Sequence, residues 1–376
     1  MRQGVKLALG CSSSCTVLIL MGRLVTLGSS SAGCTHTWQN IRQGRLILIF
    51  SRKNRWDSLF TRILGTGGYL PDEVRTNADL ERMVETSDEW ITERTGIKER
   101  RIASEKDTAA FMGYQASLKA LESAGLEAGQ IGAVICATTS ASFAFPSAAC
   151  EIAKMLGIGN IPVFDVAAAC AGFSYAYAVA HSMIISGIAD RILVVGSDLL
   201  SKACDPKDRT TIILFGDGAG ACLLGSSPEP GTLTVRLSSD PTVSQLLTLP
   251  YPSRYPGAAP SPYLYMKGND VFRHAVQVLS KLVTQTLEQA GMDASQLDFL
   301  IPHQANLRII TATAKKLKLD MSQVIVTLDK QGNTSSASVP LALDEGIRTG
   351  RIKRGQVLLL ESFGGGFTWG SALLRY

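Results

Sequence analysis

Two stretches of the chain repeat one pattern of apolar and polar positions. ALESAGLEAGQIGAVIC (120–136) lies over TLEQAGMDASQLDFLIP (286–302) at an offset of 166, with Leu, Glu, Ala, Gly and Gln recurring in register. In each copy, apolar positions at helical spacing run up to a glycine, Gly125 or Gly291, suited to ending a helix; a short turn and an apolar strand follow. The first copy continues into a helix near Pro146, the strand PVFDVA, the turn AAACAGF (167–173), the strand RILVVGSD and the glycine-rich return FGDGAGACLLG (215–225). The second continues into a helix from Asn306, a strand QVIVTL, the turn DKQGNTSSASV (329–339), the strand QVLLLES and the return FGGGFTWGSALL (363–374). Strands built as unbroken runs of Val, Ile and Leu are buried on both faces, so helices must cover both sides of each sheet. Two such halves packed together predict an α/β body layered α-β-α-β-α.

Residues 1–61 break this pattern. They hold eight Lys/Arg and one acid, Asp57, with short apolar runs interrupted by Arg23 and the serines at 29–31. Neither run approaches the roughly 20 residues of a spanning helix, so no membrane partner is expected. The segment reads as an appended leader: disordered, a targeting peptide, or the product of a start codon placed upstream. The expected halves of the body are 62–230 and 231–376. The leader's net +7 exceeds the whole chain's +5, leaving 5 − 7 = −2 on the body, which argues against nucleic acid as a ligand.

The chemistry rests on few residues. The eight cysteines show no C-x-x-C spacing, and the four histidines (His36, His181, His274, His303) offer no recognisable zinc pattern, so reduced thiols in a cytoplasm-like compartment and no metal are expected. Cys170 follows PVFDVA at the start of an apolar helix, where unpaired N–H groups and the helix dipole favour thiolate; a buried structural cysteine is the plain alternative. His303 ends the strand DFLIP, on the edge where open α/β folds hold ligands. Asn333 lies in the turn equivalent to the one holding Cys170, although Gly-Asn is also an ordinary turn dipeptide. The string GDGAG (216–220) lacks the Lys-Ser/Thr of a phosphate loop and reads as tight backbone packing.

The segments DVAAACAGF, DRTTIILFGDGAGA, PHQANLRI, GNTSSASVPLALDEG and ESFGGGFTWGSALLRY, spread over a body running from Arg62 to Tyr376, resemble β-ketoacyl-acyl carrier protein synthase III, an initiating condensing enzyme of fatty acid synthesis. The resemblance implies a thiolase-like fold and a Cys170–His303–Asn333 triad, with the backbone N–H groups of Cys170 and Gly365 as oxyanion hole. It implies acyl-CoA (acetyl-CoA first) and malonyl-acyl carrier protein as substrates, with no cofactor. Trp90, Arg94, Arg209, Phe215, Met266, Gly268, Phe272 and Asn306 match substrate-binding positions. Gln304, Arg308 and Lys315 match a carrier-protein face, and Phe145 a residue that floors the partner's acyl pocket in a homodimer. Trp90 and Phe145 also have plain readings, as a helix anchor and a core ring. A related Cys-His-Asn polyketide or quinolone-type synthase, or a non-catalytic scaffold of the same fold, is the competing reading.

Overall fold

The computed structural model describes residues 60–251 and 261–376, together with the backbone of two short strands, Val17–Leu20 and Arg23–Thr26, that pair antiparallel. Apart from these and from Phe60 and Thr61, the expected leader lies outside the described residues. In the first sheet, β1 (Phe60–Tyr69), β2 (Ala133–Ala137), β3 (Val163–Val166), β4 (Arg191–Leu199) and β5 (Asp217–Ser227) lie in the order β1-β5-β4-β2-β3. In the second, β6 (Thr232–Ser239), β7 (Phe299–Pro302), β8 (Val357–Gly364) and β9 (Thr368–Arg375) lie in the order β6-β9-β8-β7. Superposing the orders makes β6, β9, β8 and β7 the counterparts of β1, β5, β4 and β2.

The repeat extends to single residues. Gly125 and Gly291 both take φ 64°, a left-handed conformation that glycine adopts without a Cβ penalty. The next turns are closed by reciprocal side-chain caps, Glu127 with Gln130 and Asp293 with Gln296. The copies part where QVIVTL was expected to form a strand. Val324 makes only an isolated bridge to Leu300, because backbone N–H groups at Thr327 and Leu328 turn instead to the Gln304 side chain.

Two helices, α4 (Gly172–Ile185) and α7 (Ser338–Arg348), fill the space between the sheets. Phe173, Tyr177 and Ile184 of α4 pack with Val339 and Leu343 of α7, Ile135 and Val194 of the first sheet, and Leu358 and Leu360 of the second. Each large side chain buried this way contributes about 1.5–3 kcal/mol. On the outer face of the first sheet lie α2 (Ala109–Ala124) and α3 (Ala148–Met155). On the outer face of the second lie α5 (Gly268–Gln289) and α6 (Leu307–Leu317). The body is therefore the five-layered thiolase-like α-β-α-β-α arrangement expected from the repeat.

Two residues placed in the expected leader, Phe60 and Thr61, belong to β1. Phe60 and Thr61 pair with Ser227 and Ser226 on β5, and the Thr61 hydroxyl is buried against Thr232 (2.6 Å) and His181 (2.8 Å). The polar threonine hid this strand start, since its hydroxyl satisfies itself inside the core rather than in water.

Candidate active site

Cys170 sits in a single 3-10 turn, Ala169–Ala171, between β3 and α4. Ala169 holds φ 46°, outside the region favoured by residues with a Cβ, and this folds the chain back so that the sulfur faces the other half. The approach is close: a Cβ on Gly364 of β8 would lie 2.6 Å from the Cys170 nitrogen, so only glycine fits there. Gly365 follows directly.

The opposing turn is Ser335–Ala337, and Ser335 takes φ 54°. Its hydroxyl donates to Cys170 Sγ at 3.4 Å, and its N–H donates to Asn333 Oδ1 at 2.9 Å. The second bond fixes the sense of the Asn333 amide, with Nδ2 as the donor end. Asn333 is itself held by two backbone bonds across Phe215, from its N–H to Leu214 O (2.9 Å) and from Gly216 N–H to its carbonyl (3.0 Å). Its neighbour Gly332, at φ 65°, must lack a side chain because a Cβ would lie 2.9 Å from the Arg100 Cβ.

His303 leaves β7 with its N–H donating to Glu361 O on β8 (2.9 Å), and its Nδ1 lies 2.5 Å from Ser338 Oγ, the first residue of α7. One run of six residues, 333–338, thus supplies Asn333 and touches both Cys170 and His303. Burial pushes the His303 imidazole down to about 4, so the ring is neutral at pH 7. Burial pushes the Cys170 thiol up to about 12, with the Ser335 hydroxyl pulling the other way and the Asp198 charge adding to the rise. Helix-end N–H groups and the helix dipole favour thiolate; desolvation of the sulfur outweighs them, and the resting group is a thiol.

Gln304 was expected to meet a carrier protein, and its position rules that out. The side chain is fully buried, with Nε2 donating to Pro302 O (2.7 Å) and Ile325 O (3.1 Å) and Oε1 accepting from Thr327 N (2.9 Å) and Leu328 N (3.2 Å). All four hydrogen-bonding positions of the amide are used, so the residue braces the loop behind His303.

A second cluster lies on the surface around α1 (Asp88–Thr95). The guanidinium of Arg209 stands 4.9 Å from the Trp90 ring centre and that of Arg94 5.8 Å. Asn306 caps α6 through Arg308 N and donates to Arg94 O (3.0 Å), joining this cluster to the loop after His303. The Arg308 guanidinium lies 5.2 Å from the Phe272 ring centre on α5. Met266, in a two-residue strand paired with Leu247–Thr248, stands beside exposed Gly268 at the start of α5. Phe215 is buried, whereas Lys315 is exposed further along α6. Phe145 is 87% exposed, which removes its plain reading as a core ring.

Several contributors escaped sequence reasoning. Asp198, at the end of β4, is fully buried; one carboxylate oxygen accepts from Ser336 N (3.2 Å) and Oγ (2.7 Å), the other from Thr139 N and Ser140 Oγ (both 2.8 Å). Arg100 is a fully buried cation that donates to Arg75 O, Asn77 Oδ1 and Ile213 O, bracing the chain just before Leu214. Glu361 is fully buried with neither side-chain oxygen hydrogen-bonded among the described residues, and burial pushes it up to about 8. The serine string TSSAS was the available signal for Ser335 and Ser338. Among the described residues no group of three or more His, Cys, Asp or Glu is placed to hold a metal ion.

Comparison with known proteins decides the family. The profile of 3-oxoacyl-[acyl-carrier-protein] synthase III matches residues 164–241, and that of its C-terminal part matches residues 287–376. The beta-ketoacyl-[acyl-carrier-protein] synthase III of Citrobacter koseri is 59% identical over 318 residues, covering 85% of this chain and 100% of that protein; one from Escherichia coli gives the same figures. The chain belongs to the 3-oxoacyl-[acyl-carrier-protein] synthase III family. A solved synthase III from Aquifex aeolicus matches with a TM-score of 0.80 and 44% identity, over 84% of this chain and 100% of that one. The priming beta-ketosynthase of the R1128 polyketide pathway matches with a TM-score of 0.80 and 38% identity, over 84% of this chain and 96% of that one. Synthase III chains are acyltransferase-class condensing enzymes, and this chain is one of them.

Proposed function

We propose that this synthase III performs the initiating condensation of fatty acid synthesis, joining a short acyl group, acetyl first, to malonyl-acyl carrier protein. In the first half reaction the Cys170 sulfur attacks the acyl-CoA thioester, and the thiol proton ends on the departing CoA thiol. The N–H groups of Cys170 and Gly365 receive the oxyanion. In the second, His303 Nε2–H and Asn333 Nδ2–H donate to the malonyl thioester carbonyl as carbon dioxide leaves, and the resulting carbanion attacks the acyl-Cys170 carbonyl, breaking its C–S bond and releasing the Cys170 sulfur, which takes a proton from solvent. The products are a 3-oxoacyl-carrier protein, carbon dioxide and CoA, with no cofactor consumed. The observation that carries this reading is the single run 333–338, which supplies the Asn333 amide and reaches the Cys170 sulfur through Ser335 and the neutral His303 imidazole through Ser338.

The Trp90–Arg94–Arg209 cluster supports binding of the CoA nucleotide, by ring stacking and by charge-assisted bonds to its phosphates. Phe215, Met266, Gly268, Phe272 and Asn306 are assigned to the path from there to Cys170. Exposed Arg308 and Lys315 are suited to an acidic carrier protein, and exposed Phe145 to an acyl pocket shared across a homodimer. The two halves of the body each contribute one turn to this site. The five described cysteines are free thiols, which supports a cytoplasmic setting, and no described helix is long and apolar enough to cross a membrane.

Mass spectrometry after incubation with acetyl-CoA, with the adduct mapped, tests the nucleophile: acetyl on Cys170 is expected, and an adduct elsewhere or none overturns the assignment. The likeness to a polyketide-priming ketosynthase favours one rival, a different malonyl acceptor. Turnover with malonyl-CoA matching that with malonyl-acyl carrier protein would select it.

A further inference from the structure

The bond between His303 and Ser338 carries information about where the imidazole proton sits. Nδ1 and Ser338 Oγ are 2.5 Å apart, and the Gln304 backbone N–H donates to the same oxygen at 3.3 Å. Both side chains are buried, Ser338 completely. Two arrangements satisfy that distance. If Nδ1 carried the proton it would donate to Ser338 Oγ, which would then accept from two N–H groups. The serine proton would need an acceptor, and among the described residues the hydroxyl has no third partner. A buried O–H would be left unbonded, a costly state. If the serine donates to Nδ1 while accepting from Gln304, every N–H and O–H donor at this junction is bonded. The geometry of Gln304 makes the second arrangement rigid, since its amide is locked by four hydrogen bonds and its backbone N–H cannot swing away from Ser338.

We propose that Ser338 is a positioning residue that donates to Nδ1 and so holds His303 as the Nε2–H form, the one able to donate to a substrate carbonyl. Ser338 touches no substrate in this scheme; it acts through the ring. The imidazole then cannot accept the Cys170 proton at Nε2, which separates acylation from the histidine and confines His303 to the carbanion-forming half reaction. The catalytic consequence rests on the function proposed above, whereas the tautomer itself does not.

The test uses the full chain with 15N-labelled histidine, the His303 signals being assigned by their loss in H303N. The wild-type protein is expected to show a protonated Nε2 and a hydrogen-bonded, unprotonated Nδ1. In S338A the Nδ1 resonance should move toward that of an unbonded ring nitrogen, and malonyl-acyl carrier protein decarboxylation should fall on the order of 10-fold. Acetyl transfer to Cys170 should persist, and S338T should restore both the resonance and the decarboxylation. A wild-type ring protonated at Nδ1 overturns the proposal, as does an S338A protein with unchanged resonance and decarboxylation. Equal loss of both half reactions without rescue by S338T assigns Ser338 a merely structural role. If S338A does not fold, the wild-type spectrum decides alone. Absence of decarboxylation in the wild type would sink the proposed function and leave the tautomer standing.

Discussion

Ala169 and Ser335 stand 166 positions apart, the offset of the internal repeat, and both hold positive φ, 46° and 54°, as the first residue of a 3-10 turn that leads into a central helix. Neither is glycine. A strained backbone of this kind costs on the order of 1–3 kcal/mol at each site and persists only where surrounding packing over-determines it. Here it turns the two half-molecules' equivalent loops toward one another, so that a sulfur from one meets a hydroxyl from the other.

Ser335→Ala removes the hydroxyl that donates to Cys170 Sγ and opposes the burial-driven rise of the thiol. Acetyl transfer from acetyl-CoA should slow by on the order of 10-fold. Single-turnover acylation followed by mass spectrometry measures this, and an unchanged rate would show that the contact does not assist the sulfur.

Asn333→Ala removes the amide whose sense is set by the Ser335 N–H. Malonyl-acyl carrier protein decarboxylation should fall on the order of 10²- to 10³-fold, as for loss of an oxyanion-type donor. Acylation of Cys170 should remain measurable. Decarboxylation at the parent rate would end the donor assignment.

His303, held down to about 4, should stay neutral through the range where an ordinary histidine titrates near 6.5. The decarboxylation rate is therefore expected to show no inflection between about pH 5.5 and 8 attributable to this ring. A clear step near pH 6.5 that disappears in H303N would contradict it.

Glu361, pushed up to about 8 from 4.5, is a stability element of known sign. Between those values the folded chain holds a proton that the unfolded chain releases, so stability falls as pH rises, by on the order of 1.4 kcal/mol per unit. His303 works oppositely below 6.5, because its depressed folded value makes stability rise with pH from about 4. The Glu361 slope is thus cleanest between pH 6.5 and 8. Urea denaturation of the parent and of Glu361→Gln should show a shallower slope in the variant; equal slopes would mean the carboxyl is ionised in the folded protein.

The layered body was legible because its cause is local. Unbroken apolar strands require cover on both faces, helix-ending glycines mark the same position in both copies, and the repeat at 166 announces two halves of one plan. Cys170, His303 and Asn333 were each visible at the end of a strand or in an equivalent turn, the edge where α/β folds hold ligands.

What escaped depends on contacts between distant segments. Nothing local separates Gln304 on a surface from Gln304 spending its amide on four backbone groups at 302, 325, 327 and 328, and the same diversion dissolved the expected strand QVIVTL. The helix-end dipole that favours a Cys170 thiolate is local, and burial supplied by the opposite half outweighs it. The amino-acid pattern alone carried two copies of a buried sheet and the three candidate residues Cys170, His303 and Asn333. The protonation of Cys170 and His303 came from the folded arrangement, because it follows from desolvation and from hydrogen bonds closed across the interface of the halves.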